Sequence, residues 1–138
     1  MAELDQARIA HLEMIQSVIR RMATITIVLK ALAVALTTGV LAFAGGAPDP
    51  TALVVLAALV PVLMLWVLDA RYLRLERLFR RLYDAVRRGD AAEPFSMDIA
   101  PFEAHEQSTL RIAASWSVSW FYGAIAIVLM VALATVAS

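Results

Sequence analysis

The chain has 138 residues, 62% of them hydrophobic, with a mean hydropathy of +0.76; that is more apolar side chain than a water-soluble domain of this size can bury. Basic and acidic side chains number 12 each, so the net charge is zero, and nothing in that balance calls for a nucleic-acid partner or an acidic substrate. With no cysteine, disulfides, thiolate metal ligands and a cysteine nucleophile are excluded.

Residues 1–22 begin with mixed charge, without the short apolar run and small-residue cleavage site of a removable signal peptide. Ile9, Leu12, Ile15, Val18, Ile19 and Met22 recur at helical spacing and predict an amphipathic cytoplasmic helix from about Leu4. It runs directly into a first membrane span over 23–44, interrupted only by Lys30. About 20 apolar residues suffice to cross roughly 30 Å of hydrocarbon. Gly45-Gly46-Ala47-Pro48-Asp49-Pro50 can only reverse the chain, which makes 45–50 an external turn and 51–68, with Pro61, a second span. Residues 69–116 are expected as a cytoplasmic helical segment. In it Leu75, Leu78, Phe79, Leu82 and Val86 form an apolar stripe opposite a run of arginines that stops at Arg88-Gly89-Asp90. A linker over 89–100 contains Pro94-Phe95-Ser96, and Pro101 suits the first turn of a helix that continues through Ala104, Leu110, Ile112 and Ala113 into the next span. Residues 117–138 carry no charge and form a third span with an external C-terminus. The expected fold is an all-α membrane protein: three transmembrane helices with cytoplasmic amphipathic extensions.

Orientation follows from Lys and Arg, which are retained on the cytoplasmic side during insertion. The external turn has neither, whereas Arg8, Arg20, Arg21 and Lys30 flank the first span and eight arginines lie between Asp69 and Ser115. The N-terminus is therefore expected inside and the C-terminus outside.

Lys30 is the candidate for intramembrane chemistry, because an ionisable group within a span is costly to desolvate. Counted from the turn, Lys30 and Asp69 differ in depth by about 6 Å, within reach of a snorkelling lysine. Three readings stand: Lys30 reaching the headgroups, with Asp69 simply ending the second span; an intramembrane or interfacial Lys30 and Asp69 ion pair; or a proton or ion pathway through either, for which one isolated pair does not make a relay. Arg71, Arg74, Arg77, Arg80 and Arg81 form a juxtamembrane basic face expected to lie near anionic lipid; Glu76 and the absence of a polar break argue against a voltage sensor. His11 and His105 are expected in solvent, since no spacing between them and the nearby carboxylates demands a metal. Ser115, Ser117 and Ser119 lack a nucleophile elbow, and with no phosphate loop or triad the chain is not expected to be an enzyme or to hold a cofactor. Trp116, Trp120 and Tyr122 are expected as interface anchors. Ala31, Ala35 and Gly39 make a small-residue stripe for close helix packing, within one chain or between copies, and a homo-oligomer is expected.

Ile15-Gln16-Ser17-Val18-Ile19-Arg20-Arg21-Met22, Leu29-Lys30, Pro61-Val62, Trp66, Leu68-Asp69, Tyr72-Leu73, Glu76-Arg77-Leu78-Phe79-Arg80, Leu82-Tyr83-Asp84 and Val86-Arg87 resemble a widespread family of small bacterial three-span proteins of unassigned function. The likeness covers roughly Leu12 to Arg88. Relatives carry Asn-Ser-Phe before the Leu-Lys pair and Gly-Trp after it, where this chain has Thr24-Ile25-Thr26-Ile27 and Ala31-Leu32. The resemblance implies a place in the bacterial inner membrane and an association with genes for defence or nucleotide signalling, including TIR-type proteins. The expectation is a homo-oligomeric effector that alters membrane permeability, with a non-conducting anchor or scaffold for a cytosolic partner enzyme as the alternative.

Overall fold

The structure, a computed structural model, describes residues 2–47, 52–90 and 93–137. Helix α1, Ala2–Gly46, and helix α2, Ala52–Arg88, are each unbroken. Two short helices, α3 (Ala100–Glu103) and α4 (Thr109–Ala113), lead into α5, Trp116–Ala137. No strand occurs among the described residues. Helices α1, α2 and α5 are long and apolar enough to cross a membrane, and the chain is an all-α membrane protein. Of the expected external turn, 48–50 lie outside the described residues, as do Thr51, residues 91–92 of the linker and Ser138.

At about 1.5 Å per residue α1 is about 67 Å long, more than twice the roughly 30 Å of hydrocarbon. The apolar spans therefore continue without a joint into a paired helical extension that bears the arginines. Contacts between α1 and α2 run from Lys30 with Asp69 through Gln16 with Tyr83 to Arg8 with Val86, so the two helices are antiparallel. Val55, Val62, Asp69 and Glu76 are all buried on α2, seven residues apart, which is the spacing of a coiled-coil seam. From α1, Ile15, Leu29, Ala33, Thr37 and Ala44 are buried. Helix α5 adds Val118, Tyr122, Ile125 and Leu129 to the same core at helical spacing. A second cluster closes the basic end, where Ile15, Leu82 and Val86 meet Phe79, Met97, Ile99 and Phe102.

Helix α2 ends in a Schellman arrangement: Asp90 N–H donates to Ala85 O at 2.9 Å and Gly89 N–H to Val86 O at 3.1 Å. Gly89 takes φ +83°, where an L side chain is strained. Arg8 adds a tertiary cap, giving Nε to Val86 O and Nη2 to Arg87 O at 3.0 and 2.6 Å. A Cβ on Gly89 would sit 3.3 Å from Arg8 Nη2. Gly89→Val should therefore destabilise by about 1–2 kcal/mol and uncouple Arg8, lowering Tm in detergent; an unchanged Tm would refute this account of the helix end.

The segment after Pro101 departs from expectation. No single helix runs from Pro101 into the third span; α3 stops after one turn, and α4 restarts at Thr109 with Ser108 Oγ accepting from Arg111 N–H at 3.3 Å. The break persists because other groups take up the carbonyls that a continuing helix would satisfy. Arg81 Nη2 donates to His105 O at 3.2 Å and Arg74 Nε to Gln107 O at 3.0 Å.

Candidate functional site

The long helices bring one ionisable pair together at the level where α1, α2 and α5 meet. Lys30 Nζ donates to Asp69 Oδ2 at 2.5 Å, with the Lys30 side chain 31% exposed and that of Asp69 1% exposed. The seven-residue spacing of the α2 seam places Asp69 there. It occupies the position that Val55 and Val62 hold higher in the same stripe, so its carboxylate is delivered against α1 rather than to solvent. Lys30 lies one residue past Leu29, on the edge of the α1 face that Leu29 and Ala33 bury. Its stem covers apolar surface while its ammonium reaches Asp69.

Tyr122 completes the node from α5. The sequence places it with Trp116 and Trp120 as an interface anchor, but it is fully buried. It falls on the α5 face defined by Val118, Ile125 and Leu129, whereas the two tryptophans point the other way, 77% and 67% exposed and stacked at 5.2 Å. The Tyr122 ring lies parallel to Trp66 at 5.9 Å and edge-on to Phe121 at 5.2 Å. Trp66 in turn donates Nε1–H to Ala113 O at 3.0 Å, tying α2 to the end of α4. Tyr122 Oη and Asp69 Oδ1 are both buried with no hydrogen-bond partner among the described residues. The node thus keeps one carboxylate oxygen and one phenol unsatisfied where three helices converge, and unsatisfied buried groups are costly.

The basic face is tied down by acceptors within the chain while its side chains stay partly exposed. Arg80 gives both Nε and Nη2 to Glu76 Oε1, at 3.0 and 2.6 Å, and Arg81 Nε meets Glu106 Oε2 at 2.9 Å while Arg77 Nη1 stands 3.7 Å from Oε1. With Arg74 bound to Gln107 O, four of the five arginines expected to face lipid hold Glu76 or the segment between α3 and α4. Arg71 is the one whose guanidinium has no acceptor among the described residues. Burial pushes the Glu106 carboxyl up. The hydrogen bonds from Arg81 and the Gln107 N–H, with the charges of Arg81 and Arg77, outweigh it and hold the carboxyl below its ordinary range.

Nor is His11 in solvent. It is 3% exposed, its Nε2 lies 2.9 Å from Ser96 O and its ring is 5.7 Å from Phe95. Phe95 has φ +61°, a conformation uncommon for a bulky residue, so the linker is pinned to α1 at a strained point. His105 stays exposed, and no group of three or more metal-ligating side chains occurs among the described residues. Ala31, Ala35 and Gly39 all lie on exposed α1 surface, away from α2 and α5, and a Cβ on Gly39 would meet nothing within 4 Å.

Sequence reasoning missed Trp66, Tyr122, Glu106, Arg8 and His11 as structural linkers. A signal existed for Glu76, which follows Val62 and Asp69 at the seven-residue step; none existed for Glu106, whose partners are set by tertiary folding alone. No family model, curated protein or solved structure matches the chain, so what this site can do rests on its own residues.

Proposed function

We propose that the protein is a membrane scaffold of the bacterial inner membrane: three spans hold a preassembled helical module on the cytoplasmic side, where it receives a partner protein. The observation that carries this reading is the closure of the arginine-bearing end, where arginines bind Glu76, Glu106 and loop carbonyls. Such a unit presents a shaped surface, and α1 and α2 connect it rigidly to the spans. The Lys30, Asp69 and Tyr122 node lies on that connection, so displacement of the module by a partner is felt between the spans. The exposed span side chains, among them Ile27, Leu53, Val60, Met64 and Ile127, suit anchoring in lipid. The orientation is the one that the arginines favour, N-terminus inside and C-terminus outside.

A second reading, the permeabilising homo-oligomeric effector, is favoured by the small-residue stripe on the open side of α1, which would let a second copy approach closely. One sample separates the two. Purified protein in liposomes should show no ion flux above empty vesicles at any protein-to-lipid ratio, whatever its oligomer mass. In cells, a photocrosslinker at exposed Phe95 should capture one cytosolic protein in stoichiometric yield, and Glu106→Gln should reduce that yield. Flux that rises with oligomer mass would replace the scaffold with the effector.

A further inference from the structure

Below the node, the crease between α1 and α2 opens into a groove of about 340 Å³ lined by Gln16, Ile19, Arg20, Arg80 and Tyr83. Its polar groups are donors with capacity to spare. Arg20 is exposed, and its one hydrogen bond beyond those of the helix backbone is through its carbonyl, from Thr24 Oγ1, so its guanidinium has no acceptor among the described residues. Arg80 commits Nε and Nη2 to Glu76, which leaves Nη1 and neutralises part of its charge from behind. Tyr83 Oη accepts from Gln16 Nε2 at 3.4 Å, so the phenol has its own proton left to give. Ile19 supplies an apolar wall. A ligand matching this set accepts several hydrogen bonds, carries negative charge and has a short apolar attachment.

Depth narrows the chemistry. Arg20 is about 39 Å from Gly46 along α1. A hydrocarbon layer of roughly 30 Å and the adjoining headgroup layer, about 5–7 Å, bring the boundary to within an arginine's reach of that level. The exposed pair Trp116 and Trp120 marks the same end of the bundle. We infer that this groove is a phosphate site, formed by Arg20, Arg80 Nη1 and the Tyr83 hydroxyl, which takes the phosphodiester of an anionic lipid headgroup. The same donors would take a soluble phosphate, and the test has an arm for each source.

The full chain is placed in nanodiscs of phosphatidylcholine with 30% phosphatidylglycerol as the probe, and lipid co-purifying in detergent is counted by native mass spectrometry. Wild type should retain phosphatidylglycerol well above its bulk share. Arg20→Gln should lower that retention about fivefold, as loss of one basic group near the surface predicts, and Tyr83→Phe should lower it less. Arg20 is exposed and Tyr83 donates to nothing in the protein, so both variants should match wild type in helicity and Tm. In phosphatidylcholine-only nanodiscs, pyrophosphate titrated by calorimetry tests the soluble arm; binding that Arg20→Gln abolishes assigns the groove to a soluble phosphate. Equal phosphatidylglycerol retention by wild type and Arg20→Gln, with no pyrophosphate binding, overturns the site.

Discussion

Lys30→Met should cost the folded bundle about 3–5 kcal/mol, because it strands the Asp69 carboxylate, 1% exposed, among three apolar helices. Asp69→Asn should cost less. It leaves a lysine that is 31% exposed and able to turn its ammonium toward the headgroups. The double variant Lys30→Met with Asp69→Leu should recover most of what the lysine substitution alone loses, since removing both members of a buried pair is often close to neutral. SDS-driven unfolding of the purified protein, followed by circular dichroism, measures all three. If Lys30→Met and Asp69→Asn were equally mild, or the double variant as unstable as the sum of the singles, the pair would not be the coupling between α1 and α2.

Glu106→Gln is the second large perturbation, at about 1.5–3 kcal/mol for loss of charged hydrogen bonds, and it should be local. Amide exchange should accelerate over residues 104–108 while the spans keep their protection. The same contact sets a pH dependence. A carboxyl held below its ordinary range when folded contributes stability above that range and loses it as pH falls through the folded value. Protection of this segment should accordingly fade on acidification below about pH 4.5, and Glu106→Gln should show little of that change. A pH profile unaffected by the substitution would mean that another group closes the segment.

The three spans and the antiparallel hairpin were legible because lipid imposes a length and an apolarity that few other contexts demand. Their helical continuation to Arg88 was legible for a related reason: the apolar stripe persists at the same period on either side of Asp69. Proximity of Lys30 to Asp69 was legible as geometry, counted from the turn, but not as contact. The contact depends on the seam along α2, which decides that Asp69 faces inward. The internal acceptors of the basic face, Glu76, Glu106 and the carbonyls of His105 and Gln107, were not legible, because an arginine run reads identically whatever it binds.

From its sequence alone this protein is determined to be a three-span helical membrane protein, with a charge bias favouring one orientation, because hydrocarbon thickness and insertion act on local composition. Tertiary structure alone decided that Tyr122 is buried against Trp66, that His11 holds the linker through Ser96, and that Glu106 gathers Arg77 and Arg81. Each of these joins residues far apart in the chain. Which face of a uniformly apolar helix turns inward, and which carbonyl an arginine finds, are settled by packing among helices rather than by any local period.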